Sequence, residues 1–242
     1  MAVRSIVKIC VVLPAFNEES VIKTVLQDLP KTVTIAKKRI IFTKVVVDDG
    51  STDHTAKVAQ GIKGTIVIQH PINMGPGAAT RTGLHFARNE NFDLAVTMDA
   101  DGQHTTRDLL VLVKAMLQLK NPDLLIGGRL TGQGNMPLSK KIGNRILSYM
   151  TFLVFGVYVS DSQSGFRVLS KDALQKLNFN SNNYAFCSEM LWQAKRAKLR
   201  VTEYPIEALY TNYSMRKGQK NYSGALQILQ QILIHRFMDL IT

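Results

Sequence analysis

Five apolar runs punctuate the chain, at residues 6–13, 40–47, 65–69, 94–98 and 123–126. Each has the length of a buried strand, and the first is broken only by Lys8 before Pro14 ends it. Between them the apolar positions change period. Val21, Ile22, Val25, Leu26 and Leu29 recur at helical spacing, and further helices are predicted at about 53–60, from the 73–81 string through Ala87, and over 109–119. Strands alternating with helices predict an α/β fold: a mostly parallel central sheet, right-handed crossovers and helices on both faces. Such sheets bind ligands at the carboxyl ends of their strands.

The polar and glycine-rich strings fall at those ends. Pro14-Ala15-Phe16-Asn17-Glu18-Glu19 follows the first run, Asp48-Asp49-Gly50-Ser51-Thr52-Asp53-His54-Thr55 the second, and Asn73-Met74-Gly75-Pro76-Gly77-Ala78-Ala79-Thr80-Arg81 the third. The fourth run stops at Asp99-Ala100-Asp101-Gly102-Gln103-His104, and the fifth at Gly127-Gly128-Arg129. Taken singly, each string has a plain structural use. Asn17 and Asp53 are good helix caps, Asp48-Asp49-Gly50-Ser51 makes a turn, and Asp99 with Asp101 could be a turn and cap ahead of the 109–119 helix. Gly75-Pro76-Gly77 resembles a phosphate-cradling loop but lacks the Lys-Ser/Thr of a P-loop and the full dinucleotide fingerprint. Asp99 and Asp101 can also converge on one point where the strand turns. Two converging carboxylates repel unless a cation sits between them, and hard oxygen ligands suit Mg²⁺ or Mn²⁺ shared with substrate phosphates.

With 242 residues, 45% of them hydrophobic, the chain has ample length for one fairly large core. Its 30 basic against 18 acidic residues give a net charge of +12, which favours an anionic partner. The bases gather at 129–145, 195–200 and 216–220 rather than in a tail, and no RNP-like string, zinc-finger spacing or basic heptad region appears, so no nucleic-acid partner is expected. Cys10 and Cys187 stand far apart without metal-type spacing and read as inert thiols in a reducing compartment. Residues 146–159 are mostly apolar, too few to span a bilayer but suited to an interfacial or core helix. Residues 225–241 are interrupted by Gln227, Gln230, Gln231, His235, Arg236 and Asp239; lying after the 216–220 bases, they suit a membrane surface. With only five residues ahead of the first run and no spanning segment, the expectation is a protein peripheral on the cytoplasmic face of a membrane. A homo-oligomer is compatible with all of this.

In their order, the four strings beginning at Leu13, Val47, Asn73 and Met98, together with Asp161-Ser162-Gln163-Ser164-Gly165-Phe166-Arg167, resemble family 2 glycosyltransferases of the GT-A fold. More narrowly they resemble the dolichol-phosphate mannose synthase and polyprenyl-phosphate glycosyltransferase branch, over about residues 6–220. The resemblance implies a catalytic domain over 1–220 and a C-terminal amphipathic helix over 221–242. It places Pro14, Phe16, Asn17, Glu18, Asp48, Asp49, Gly75, Gly77, Arg81 and Asp99 around a nucleotide-sugar, UDP- or GDP-linked. Asp99, Asp101 and Gln103 become ligands of Mg²⁺ or Mn²⁺. Asp101, Arg129, Arg145 and Glu189 become the catalytic set, and Arg129, Arg145 and Ser164 contact a polyprenyl phosphate acceptor. The family's C-terminal Arg-x-x-Gly-x-Ser-Lys string is altered, with Met215 in the arginine's place, so Arg216, Lys217 or Lys220 must supply the third acceptor cation. The implied reaction is an inverting sugar transfer to that phosphate. The alternative is a hydroxyl acceptor in surface polysaccharide or glycoconjugate synthesis, with Glu189 as its base.

Overall fold

The computed structural model describes residues 5–119, 122–130, 135–210, 213, 230 and 234. Alternation along β1 (Ser5–Ala15) sets the two faces of the sheet. Val7, Ile9, Val11 and Leu13 point into one apolar cluster, which α1 (Ile22–Asp28) closes with Ile22, Val25 and Leu26. Cys10 and Val12 point into the other. β1 pairs in parallel along its whole length with β3 (Lys38–Asp48), whose opposite edge carries the short antiparallel β2 (Thr32–Ile35) and then the parallel β4 (Thr65–Gln69). Between β3 and β4 lies α2 (Thr55–Gln60).

Crossing back, α3 (Pro76–Asn89) covers the Cys10/Val12 face and delivers β5 (Leu94–Thr97) to the free edge of β1. Gly83 lets α3 settle on that strand, because a Cβ there would overlap Val12. On the opposite face α4 (Thr106–Gln118) buries Leu109, Leu112, Val113 and Met116. It leads to β6 (Leu124–Gly128), and α5 (Leu138–Phe155) follows. Next come β7 (Arg167–Ser170), α6 (Lys171–Lys176), α7 (Phe186–Arg196) and β8 (Val201–Pro205). The order β2-β3-β1-β5-β7-β6-β8 makes a mostly parallel eight-stranded sheet in which β7 runs antiparallel between β5 and β6.

The predicted runs become β1, β3, β4, β5 and β6, with two differences of note. β1 continues through Pro14 to Ala15, in register with Val47 and Asp48. Because β5 leaves β1 after Val12, the N–H that Pro14 lacks has no ladder partner to lose. β2, β7 and β8 were not anticipated.

Residues 146–155 of the 146–159 segment belong to a longer helix, and 157–159 lie beyond its end. α5 starts at Leu138 and stops at Gly156, whose φ of 64° makes a left-handed cap. One side of α5 buries Leu147, Thr151 and Phe155. The other leaves Leu138, Ile142, Ile146, Tyr149 and Leu153 in solvent, 72% exposed at Leu138 and 57% at Leu153. No helix among the described residues is long and apolar enough to cross a membrane. The 220/221 boundary and the 225–241 amphipathic segment lie outside the described residues, apart from Gln230 and Ile234. Cys10 and Cys187 are both buried, and burial pushes their thiols up to about 12 and about 11.

Candidate functional site

The turns after β1, β3, β4, β5 and β6 meet along one edge of the sheet, and hydrogen bonds stitch them together. Asn17, at φ 54°, does not cap α1. Its amide donates to Ser51 Oγ at 2.9 Å, and its side-chain oxygen accepts the Thr52 amide at 2.9 Å. The Glu18 amide donates to Thr55 Oγ1 at 2.7 Å, and Tyr213 Oη donates to Glu18 Oε2 at 2.7 Å. Pro14 is partly buried and Phe16 is exposed at the rim.

Asp48 and Asp49 are buried. Asp48 accepts from the Ser51 hydroxyl and, at 3.4 Å, from Gln69 Nε2. Asp49 serves the loop after β4, accepting the Met74 amide at 3.0 Å on Oδ1 and the Gly75 amide at 2.7 Å on Oδ2. His70 Nδ1 lies 2.7 Å from the same carboxylate, and its Nε2 is 3.0 Å from Thr82 Oγ1. Sequence reasoning did not single out His70.

Gly75 and Gly77 receive another part of the chain. A Cβ on Gly75 would overlap the Asn182 carbonyl, and one on Gly77 the Ser181 carbonyl; the Gly77 amide donates to Asn182 O at 2.8 Å. The loop ahead of α7 therefore packs on the glycine loop. Arg81 grips it from one side, donating to Asn180 O at 3.1 Å and Asn182 Oδ1 at 2.9 Å. Glu189 grips it from the other. Buried on α7, it accepts the Asn180 amide at 2.8 Å on Oε1 and the Ser181 amide at 2.7 Å on Oε2.

Past β5, the Asp99–Asp101 pair occupies the turn. The cap of α4 is Thr105, in a reciprocal box with Asp108, so neither aspartate is used as its cap. Desolvation, then the charge of Asp99, pushes Asp101 up to about 6. For Asp99 desolvation works the opposite way to its neighbours, and His104 with Arg129 holds the carboxyl below its usual range. Gly165 stands against Asp99, where a Cβ would come within 3.2 Å of Oδ1. Gln103 is buried beside them, and its backbone amide donates to Asp101 Oδ1 at 3.0 Å. His104 is buried too, its ring tilted by 38° against that of Phe166 with centroids 4.5 Å apart, and its Nε2 lies 3.6 Å from Asp99 Oδ2. Neither of its ring nitrogens has a hydrogen-bond partner among the described residues. No cluster of three or more His, Cys, Asp or Glu side chains suited to a metal occurs among the described residues. The donor set is instead two mutually repelling carboxylates and a neutral amide. That set fits a divalent cation whose coordination is completed by phosphate oxygens.

Arg129, just beyond β6, enters the same area. Its Nε donates to Asp161 Oδ2 at 2.7 Å and one terminal nitrogen to Oδ1 at 3.0 Å, a side-on fork. Burial works against this guanidinium's charge, and Asp161 outweighs it, so its pKa is raised. The other terminal nitrogen makes no hydrogen bond among the described residues. Lys140, in the first turn of α5, lies 5.4 Å over the Tyr210 ring; burial, then Arg129, lowers its pKa, while Asp101 raises it. Lys140 was also missed, although a lysine in a helix's first turn opposes the helix dipole and is a signal in itself.

Two other expected residues are placed differently. Arg145 is exposed on α5. Ser164 is fully buried, its hydroxyl donating to Gly127 O at 2.6 Å. Buried Arg167 shapes the same loop by donating to Ser162 O at 2.8 Å and Ser164 O at 2.9 Å. Arg216, Lys217 and Lys220 lie outside the described residues.

A family model described as Glycosyl transferase family 2 matches residues 10–177. Over 231 residues the chain is 38% identical to the UDP-N-acetylglucosamine–dolichyl-phosphate N-acetylglucosaminyltransferase of Methanococcus voltae, covering 87% of this chain and 89% of that one. Over 230 residues it is 26% identical to the undecaprenyl-phosphate mannosyltransferase of Micrococcus luteus, covering 90% of this chain and 89% of that one. Glucosyl-3-phosphoglycerate synthase from Mycobacterium tuberculosis, solved with Mn²⁺, UDP-glucose and glycerol 3-phosphate, matches with a TM-score of 0.68 at 22% identity, covering 95% of this chain and 79% of that one. At that identity the likeness establishes a shared fold.

Proposed function

Because the chain belongs to glycosyltransferase family 2, we propose that it transfers a sugar, with inversion, from a UDP- or GDP-linked donor to a polyprenyl phosphate at a membrane surface. The observation that carries the acceptor assignment is Arg129, held by Asp161 with one end of its guanidinium unspent, beside the Asp99–Asp101 pair. A buried, pre-oriented arginine is suited to a phosphate oxygen. Lys140 adds a second cation at that place, and Arg145 sits further along the same helix. The names of the Methanococcus and Micrococcus relatives support the same acceptor class.

Asp99, Asp101 and Gln103 would hold Mg²⁺ or Mn²⁺, which when bound stabilises the departing nucleoside diphosphate as a Lewis acid. The chain's own work is positional. Asn17, Glu18, Asp48 and Asp49 fix the loops that form the donor's nucleoside end, and Arg81 with Glu189 locks the 180–183 loop onto Gly75 and Gly77. An acceptor phosphate is already an anion at neutral pH. Its oxygen attacks the anomeric carbon while the bond to the diphosphate breaks, and no side chain has to remove a proton. Glu189 spends an oxygen on each of two backbone amides, so we assign it to holding its loop rather than to base chemistry.

Incubation with labelled UDP- and GDP-sugars, a short polyprenyl phosphate and Mn²⁺ or Mg²⁺ tests the proposal. A solvent-extractable, acid-labile product that disappears with EDTA is expected. Donor hydrolysis across the panel without lipid product would overturn it.

A further inference from the structure

Glu203 lies in the middle of β8, opposite Ile126 of β6. It forms no ion pair among the described residues. Its carboxylate reaches the turn ahead of β7 instead. Oε2 accepts the Ser160 amide at 2.7 Å, and Oε1 accepts the Ser160 hydroxyl at 2.8 Å and the Asp161 amide at 3.0 Å. Asp161 in turn carries the fork to Arg129, and its Oδ2 also accepts the Arg129 backbone amide at 3.2 Å.

Gly128 makes the reach possible. A side chain at that position, next to Arg129, would overlap the Glu203 carboxylate. The same residue is pinned to β8 from the other side, because its carbonyl accepts the Ile206 amide at 3.0 Å. Glu203 thus sits over Gly128, one of the two glycines that end β6, and holds Asp161, which orients Arg129, together with its neighbour Ser160.

We propose that Glu203 is a positioning residue for the acceptor phosphate, acting through Ser160 and Asp161 on the Arg129 guanidinium. The inference rests on the acceptor assignment made above for Arg129. The negative charge on Glu203 suits a grip on amide and hydroxyl donors, since hydrogen bonds to an ionised acceptor are the stronger kind. Loss of the grip leaves two amides without their acceptor and frees Asp161 to turn, carrying the guanidinium with it. A misplacement on the order of 1 Å is enough to cost about 100-fold where a reacting group is positioned.

The test uses Glu203→Gln, which keeps one acceptor oxygen, and Gly128→Ala, which displaces the carboxylate without changing it. In the wild-type protein the Arg129 Nε–H, held on Asp161, is expected as a resolved, exchange-protected NMR signal. Both variants are expected to lose that protection and to raise the KM for a short polyprenyl phosphate about tenfold or more. Donor KM and Mn²⁺ affinity should stay as in the wild type. Glu203→Gln combined with Arg129→Gln should be no worse than Arg129→Gln alone, because a residue acting through another adds nothing once that other is gone.

An Arg129 signal equally protected in both variants would overturn the inference, as would effects of Glu203→Gln and Arg129→Gln that multiply. If protection is lost while neither Glu203→Gln nor Arg129→Gln alters acceptor KM, the coupling of Glu203 to Arg129 stands and the acceptor assignment of Arg129 falls.

Discussion

Asp49 Oδ2 accepts the Gly75 amide at 2.7 Å, joining the turn after β3 to the glycine loop after β4. With the Met74 amide and His70 on its other oxygen, this buried carboxylate holds the shape of the glycine loop, which the proposed function puts on the donor side. Asp49→Asn replaces one acceptor oxygen by a donor facing an amide. An unmet buried group costs about 1–3 kcal/mol, so the KM for the nucleotide-sugar should rise by about 5- to 150-fold. Steady-state kinetics with the acceptor saturating will check this, and acceptor KM should stay put.

His104 Nε2 points toward Asp99 Oδ2 from 3.6 Å, without another partner among the described residues. With Asp99 as a proposed metal ligand, closure of His104 onto its carboxylate would fix which oxygen faces the cation, and losing a supporting partner of that kind costs about 10- to 100-fold in affinity. His104→Phe should weaken Mn²⁺ binding by that factor, read directly from the electron-paramagnetic resonance of free Mn²⁺ without substrate. Asp101→Asn should weaken it further. Unchanged affinity in both would remove the cation from this turn.

Glu189 discriminates between two chemistries. A general base contributes about 100- to 10,000-fold, and its loss would abolish the acid limb of the pH–rate profile. A residue gripping the Asn180 and Ser181 amides behaves otherwise. Glu189→Gln should lower stability by about 1–3 kcal/mol, raise donor KM and leave the shape of the profile intact. Thermal denaturation and a pH series on the same variant will separate the two.

The exposed side of α5 bears on where the enzyme works. Ile142, Ile146, Tyr149 and Leu153 line one stripe, and Arg145 and Lys141 lie on the same helix. An apolar stripe with adjacent cations suits the surface of an anionic bilayer. The double variant Ile146→Asp with Leu153→Asp should reduce flotation with vesicles containing an anionic lipid by about tenfold or more, with Tm unchanged. Retained flotation would place the contact elsewhere.

Of the eight strands among the described residues, five were legible because each centres on a continuous apolar run, buried on both faces in Val45–Val46–Val47 and Leu124–Leu125–Ile126 and only partly covered in β4. The others carry no such signal. β7 opens with the buried Arg167, whose charge is met by the Ser162 and Ser164 carbonyls, and β8 reads Val-Thr-Glu-Tyr-Pro with every residue partly or fully exposed. Nor does an alternating strand–helix pattern announce that β7 inserts antiparallel between β5 and β6. In the site, the strand-end aspartates could be found from the chain alone. Asp161, Lys140 and His70 could not be matched to partners, because each partner lies 21 or more residues away or on another element. The same distance explains Gly75 and Gly77: the sequence shows that something must come close, and only the fold shows that it is the Ser181–Asn182 backbone.

The most direct test of the account is to offer the enzyme, with its best donor and Mn²⁺, a short polyprenyl phosphate and the matching polyprenol side by side. Transfer to the phosphate alone is predicted, because the proposed acceptor cations Arg129 and Lys140 suit an anion and no side chain is assigned to deprotonate an alcohol. Comparable transfer to the polyprenol would contradict it, and would mean that the Arg129 region does not select the acceptor.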